Sequence, residues 1–398
     1  MDLRSGCPFW LRQGDDFPPY PKLDHDKTCD VAILGGGITG ALVAHHLAQA
    51  GIPAILLDRR DPGRGSTMAS TGLLQYELDT PLHELINLVG KKNAFRAYQL
   101  CVGTFDKFEE LVTDIGDRCG LERCPSLYLA SNANDAEELK EEFQCRCEAG
   151  IDLQFLGESE IKNRFGFQRP AALLSRDGAQ VDPYRLNQRL LQRANQKGLE
   201  IFAHTHVTQY LPASDRVKLL TEHGPSITCR RVVFATGYET PQFLDQNIVT
   251  LKSTYALASL PIQQSINIEK TLIWETSRPY FYVRWGPNNR AMIGGEDEPH
   301  ADPQKRDQLI PAKFAVLCDN FKKMFHILIE PECSWAGVFG ETKDGLPYIG
   351  PHQQFPLGLF ALGYGGNGIT FSLIAAEIIR DVFRGRSNPD ANIFSFDR

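Results

Sequence analysis

The stretch Cys29-Asp30-Val31-Ala32-Ile33-Leu34-Gly35-Gly36-Gly37-Ile38-Thr39-Gly40 decides the fold, and Asp58 closes the next apolar run, Ala54 to Leu57. Val31 to Leu34 suit a buried parallel strand, and Ala41 to Ala50 a helix of small residues. Between them Gly35 permits the tight turn from strand to helix, Gly37 lets a pyrophosphate approach the backbone, and Gly40 lets helix and strand pack closely. The helix N-terminus, entered through Ile38 and Thr39, then faces the phosphates. Asp58, at the roughly 20-residue spacing of such sites, accepts hydrogen bonds from ribose hydroxyls. Its ionised carboxylate repels a 2′-phosphate, which outweighs the adjacent Arg59 and Arg60. A Gly-x-Gly-x-x-Gly run alone is weak evidence, but the strand-turn-helix-strand-acid context makes it a dinucleotide site.

Bulk properties narrow the class. With 398 residues and 42% hydrophobic content the chain is long enough for two domains of ordinary size. Its net charge of −7, without a long basic run, marks no nucleic-acid or anionic-membrane surface. The longest apolar stretches are strand-sized, against a membrane span. The N-terminus carries Asp2, Asp15 and Asp16 and lacks the apolar core of a secretory signal. The ten cysteines include no Cys-x-x-Cys pair, and Cys145 and Cys147 point to different faces of a predicted helix. No metal site is expected, and reduced thiols in a cytoplasmic protein are the simple reading.

Residues 1 to 28, with Pro8, Pro18, Pro19 and Pro21, read as an extended arm packed on the surface. Residues 81 to 165 look helical, with Leu127 to Ala130 as a strand. Asp182-Pro183 caps and opens a helix reaching about Lys197. A strand-rich block follows from Val249 to Gly295, and Pro303 to Phe325 reads as a helix. The apolar run Val232 to Ala235 ends in Thr236-Gly237, so nucleotide-domain strand chemistry recurs far downstream and the two domains must interleave. A third element is Phe360-Ala361-Leu362 leading into Gly363-Tyr364-Gly365-Gly366-Asn367-Gly368-Ile369-Thr370 and a helix to about Phe383. Its glycines allow close backbone approach and aim a helix N-terminus at something electron-rich, which for a flavin is the N1/C2=O edge.

Together with Gly65-Ser66-Thr67-Met68-Ala69-Ser70-Thr71-Gly72-Leu73-Leu74 and Lys343-Asp344-Gly345-Leu346-Pro347-Tyr348-Ile349-Gly350, these elements resemble the D-amino-acid oxidase (DAO) family of FAD-dependent oxidoreductases. That family includes glycine oxidase, sarcosine oxidase and gamma-glutamylputrescine oxidase. The resemblance runs in order from Asp30 to the closing Ile393 to Arg398. It implies an α/β fold: a glutathione-reductase-like Rossmann FAD domain from residues 1–80, 170–245 and 330–398, interleaved with an antiparallel-sheet α+β substrate domain from 81–169 and 246–329. The implied reaction is oxidation of a C–N bond of an amine or N-substituted amino acid, by hydride transfer to flavin N5, giving an imine that hydrolyses. Ser66, Thr67, Ser70, Thr71, Gly72 and Leu73 would line the flavin's pyrophosphate and ring, Val207 would touch adenine through its backbone, and Ala235, Thr236 and Gly237 would return beside the cofactor. No cysteine occurs between Gly340 and Tyr348, where members with covalent flavin carry one, so the FAD is expected to be non-covalent. The implied partners are an amine or amino-acid substrate and oxygen or another electron acceptor, with no nucleic acid and no membrane. Some relatives append an iron-sulfur domain after the final helix, which is not expected here.

Substrate recognition is read at Tyr280-Phe281-Tyr282-Val283-Arg284-Trp285. A strand's period of two puts Tyr280, Tyr282 and Arg284 on one face and Phe281, Val283 and Trp285 on the other. Arg284 is expected to clamp a carboxylate and Tyr282 to shape the pocket; the other reading is the solvent face of an amphipathic strand. Two departures from the family pattern bear on the substrate. Phe339 stands where amino-acid-oxidizing members carry an arginine. Met292 stands, in the register used, where sarcosine oxidase-like members place a lysine over the flavin. An NAD-dependent dehydrogenase and a flavin-binding sensor without turnover remain as alternatives, and the acidic balance disfavours a tRNA-modifying relative.

Overall fold

The quoted stretch forms the strand and helix its pattern predicts. In the computed structural model, which describes residues 1–14, 17–263 and 270–398, Lys27–Leu34 is a strand and Ile38–Gln49 the helix after it. The strand lies inside a parallel array ordered Glu200–Phe202, Ala54–Leu57, Lys27–Leu34, Ser226–Phe234, Gly358–Leu362. Both faces of this array are covered, which is why its strands read as continuous apolar runs rather than alternating ones. Val31 and Ile33 join the core with Leu42 and Leu56, while Ala32 and Leu34 join the opposite core with Phe234 and Phe360. Helix Ile38–Gln49 packs between Pro183–Gln196 and Gly368–Phe383. Asp182 caps Pro183–Gln196 as predicted, its Oδ1 accepting from Tyr184 N at 3.0 Å and Arg185 N at 2.9 Å.

A second sheet has nine strands among the described residues, ordered Arg4–Gly6, Pro331–Glu341, Thr250–Ser259, Arg290–Glu298, Phe281–Gly286, Leu272–Glu275, Ser126–Leu129, Ala171–Ser175, Leu153–Gly157. Helix Pro303–Phe325 covers one face, burying Leu317, Phe321 and Met324 against Phe281, Val283 and Trp285. The period-two reading of that strand is therefore correct: its other face carries Tyr282 and Arg284.

Three expectations about organisation are corrected. The N-terminal segment is not a surface arm: Arg4–Gly6 pairs with Pro331–Glu341, and Phe9 and Trp10 are buried. The proposed seams at residues 170 and 330 cut through the nine-stranded sheet, which takes in both Ala171–Ser175 and Pro331–Glu341. Helices Leu82–Val89, Lys91–Val102 and Thr104–Asp114, assigned to the substrate domain, bury Leu85, Tyr98 and Phe105 in the same core as helix Gly368–Phe383. The arm and the strand block Val249 to Gly295 include residues 15–16 and 264–269, which lie outside the described residues.

Candidate active site

Strand Ser226–Phe234 pairs with Lys27–Leu34 on one side and Gly358–Leu362 on the other. All three run parallel, so the turns that follow them open on one edge of the sheet, where ligands bind in open α/β sheets. A cavity of about 550 Å³ lies there. Gly35, Gly37, Ile38 and Thr39 line it from the first turn, Ala235, Thr236 and Gly237 from the second, and Gly363, Gly365, Gly366, Gly368 and Ile369 from the third. Asp58, Arg59, Ser66, Thr67, Ser70 and Val207 complete the predicted lining. Gly40 is outside the cavity and has the packing role expected of it, since a Cβ there would collide with the Gly35 carbonyl.

The chemistry of this lining fits a dinucleotide. The N-termini of two helices, Ile38–Gln49 and Gly368–Phe383, open on the cavity, each with the positive end of its dipole. Asp58 Oδ2 accepts from Gly36 N at 2.6 Å and its Oδ1 from Arg60 N at 2.7 Å; burial pushes this carboxyl up to about 6. Arg59 and Arg60 both bond Glu239, the latter through Nη2 at 2.8 Å, and share that one carboxylate with the amino terminus. The Ser66 hydroxyl is buried without a hydrogen-bond partner while its residue lines the cavity, leaving a polar atom for a ligand to satisfy.

A smaller chamber of about 160 Å³ adjoins the first and shares Ser66, Ser70, Tyr238, Gly365 and Gly366 with it. Thr71, Leu73 and Asn367, expected at the cofactor, line this chamber instead of the larger cavity. Tyr280, Tyr282 and Phe339 also line it. Tyr282 pairs in register with Gly294, where a Cβ would strike the phenol ring, so only glycine leaves room for the ring. Its hydroxyl accepts from Thr71 Oγ1 at 3.3 Å, and burial pushes its pKa up to about 12.

Arg284 is corrected. It lines neither cavity: its Nη1 donates to the carbonyls of Thr71 at 2.7 Å, Gly72 at 3.0 Å and Val181 at 2.9 Å, and the side chain is buried. Gly72 likewise lies beneath the lining, packed between Val181 and Arg284, and Thr370 turns to Gln75 O at 3.4 Å. Met292 is buried with Phe9, Trp10 and Trp335, apart from both cavities.

The sequence reading missed Gln75, Glu77 and Asp79, which line the chamber, and Trp274 and Tyr238 with them. The alternation Gln75-Tyr76-Glu77-Leu78-Asp79 was the available signal. This segment is tied to the third glycine turn: Asn367 Nδ2 donates to Gln75 O at 2.8 Å and Glu77 O at 2.9 Å, and Gly366 N donates to Asp79 Oδ2 at 2.8 Å. It also missed Trp10 and Trp335, whose indole N–H groups donate to Ser70 O at 2.7 Å and Ala69 O at 2.8 Å and fix the turn after Gly65.

Proteins of similar sequence and of similar structure are known. The chain is 24% identical over 372 residues to glycine oxidase of Geobacillus kaustophilus strain HTA426, covering 89% of this chain and 92% of the relative. It is 22% identical over 393 residues to gamma-glutamylputrescine oxidoreductase of Escherichia coli K12, covering 95% and 88%. The crystal structure of glycine oxidase from Geobacillus kaustophilus superposes with a TM-score of 0.77 at 22% identity, over 94% of this chain and 99% of that one. The family model for FAD dependent oxidoreductases (DAO) matches residues 30–382. With its three glycine turns gathered on one cavity, the chain belongs to the DAO family of FAD-dependent oxidoreductases.

Proposed function

We propose that this protein oxidises a C–N bond of an amine or N-substituted amino acid, releasing an imine that water hydrolyses. The observation that carries the reading is the small chamber abutting the long cavity through the shared walls Ser66, Ser70, Tyr238, Gly365 and Gly366. FAD, when bound, supplies the two-electron acceptance that side chains lack. In this reading Gly37, Ile38 and Thr39 receive the pyrophosphate, Asp58 the ribose and Val207 the adenine, with Ser66, Thr67 and Ser70 along the flavin. The chamber's own residues orient the substrate and exclude water: Tyr282 and Thr71 form one hydrogen-bonded wall, Phe339 an apolar one.

We also infer a cytoplasmic site of action, supported by ten cysteines that are all free. No helix among the described residues is long and apolar enough to cross a membrane.

The test is anaerobic reduction of purified protein by a panel of primary, secondary and polyamines, amino acids and their N-methyl derivatives. Bleaching of the flavin bands by members of the panel is the expected result; a yellow protein that no amine bleaches would refute turnover, and a colourless protein that binds no FAD would refute the cofactor assignment. Peroxide formed on readmitting air assigns oxygen as electron acceptor, and its absence assigns another.

A further inference from the structure

We propose that the smaller chamber selects an amine cation that carries no carboxylate beside its nitrogen, with Glu77 as the residue that recognises the charge; this rests on the amine-oxidation reading above. Glu77 lines the chamber, is 4% exposed, and its Oε2 has no hydrogen-bond partner. A buried carboxylate oxygen left bare is costly, and a ligand ammonium supplies the missing donor.

The cation behind Glu77 gives its closer contact to another carboxylate, although its Nη2 has no hydrogen-bond partner. Arg146 is fully buried and places Nε 2.7 Å from Glu142, against 3.9 Å from its Nη1 to Glu77. The Arg146 charge helps hold Glu142 down at about 2, while burial keeps Glu77 above the ordinary carboxylate range. Asp79 adds a second carboxylate to the lining, and no lysine, arginine or histidine among the described residues lines the chamber. Of the cations nearest to it, Arg278 is exposed, lies 5.2 Å from the Tyr280 ring and donates to the carbonyls of Ser277 and Asp79, Lys252 pairs with Glu341 at 2.5 Å, and Arg284 holds the three carbonyls described above. A carboxylate entering here would meet Glu77 and Asp79 in the lining and no cationic side chain among the described lining residues.

The walls suit the same class of ligand. Tyr280, Tyr282, Trp274, Tyr238 and Phe339 present aromatic surface around the carboxylates, and ring faces attract ammonium groups. The Trp274 Nε1–H is a neutral donor without a partner, which serves a hydroxyl or amide oxygen on the ligand but does not neutralise an anion.

Three probes that share a tert-butyl group test this on the FAD-loaded protein: tert-butylammonium, tert-butanol and trimethylacetate. The first cannot be oxidised to an imine, because the carbon bearing nitrogen carries no hydrogen, so binding is read without turnover from the flavin difference spectrum. Tert-butylammonium should bind at least about tenfold tighter than tert-butanol, and trimethylacetate more weakly than either. Glu77→Gln should remove the tenfold preference while FAD content stays normal, and Asp79→Asn should reduce it. Trimethylacetate binding as tightly as tert-butylammonium, or Glu77→Gln leaving the preference intact, overturns the proposal. If Glu77→Gln does not fold, the wild-type ratio decides. Flavin bleached only by carboxylate-bearing amines sinks this proposal and leaves the function standing; cation preference without bleaching by any amine does the reverse.

Discussion

Replacing Arg284 by methionine should unfold the protein more easily rather than weaken its hold on substrate. The guanidinium is buried, stacks 5.5 Å from the Trp10 ring and donates from Nη1 to Thr71 O, Gly72 O and Val181 O. Hydrogen bonds from a charged donor contribute about 1.5–3 kcal/mol each, and Nη1 has two N–H groups to share among the three carbonyls, so together they bring roughly 5 kcal/mol. Against this stands the cost of burying the charge, which lowers the Arg284 pKa from 12.5 to about 10. At about 1.36 kcal/mol per pKa unit that cost is on the order of 3 kcal/mol. Methionine keeps much of the packing and removes both terms, leaving a net destabilisation of about 2 kcal/mol. Urea unfolding of the FAD-loaded protein measures it, alongside FAD content and the dissociation constant of tert-butylammonium. The expected result is a lower unfolding midpoint, with ligand affinity changed less than about threefold in the folded fraction. Wild-type stability with normal flavin content and a tenfold weaker ligand would refute the reasoning and put the guanidinium in the chamber.

Gly40→Val should abolish FAD retention, because its Cβ meets the Gly35 carbonyl and forces helix Ile38–Gln49 off the strand; FAD released on acid denaturation of purified protein measures it. Asp297, with Oδ1 buried and unpartnered, is pushed up from 3.8 to about 7 by desolvation. Its neutral form is the one the fold favours, so its stabilising contribution is complete below about pH 4 and lost as pH rises through 7. Asp297→Asn should therefore leave the melting temperature nearly unchanged below about pH 4 and raise stability at pH 8 by about 2 kcal/mol, half the full linkage value because the residue is partly solvated. Arg398→Ala should cost about 3 kcal/mol, since Arg398 donates to both oxygens of the buried Asp344 at 2.8 and 2.9 Å and its loss leaves that carboxylate uncompensated; thermal unfolding checks it.

The nucleotide half was legible because its signals are local. Val31 to Leu34 and Val232 to Ala235 are apolar runs punctuated by glycine, and Asp182-Pro183 is a helix start that needs no tertiary information. The face of Phe281–Gly286 was legible for the same reason. How far the chamber extends along that face was not: Arg284 lies one period beyond Tyr282, and the segments around Gly72 and Val181 that cover it are over 100 residues away. Glu77 was hidden differently. Its segment makes no regular ladder of its own, and the Asn367 side chain that holds it lies 290 residues downstream. The Pro-rich composition of residues 1 to 28 suggested a surface arm because it outweighed Phe9-Trp10, whose burial depends on strands near residues 256 and 335.

The strand Ser226–Phe234 sits between partners from opposite ends of the sequence, Lys27–Leu34 and Gly358–Leu362. The central pairings are therefore among the least local the chain makes, and loop closure opposes them until most of the polypeptide is present. A nascent chain released only through Phe234 would expose an apolar strand edge that its proper neighbour reaches more than 120 residues later, a surface prone to self-association. Synthesis of this flavoprotein is thus exposed to misassembly over a long interval. FAD can relieve that exposure only at the end, when the third glycine turn closes the site that would hold it.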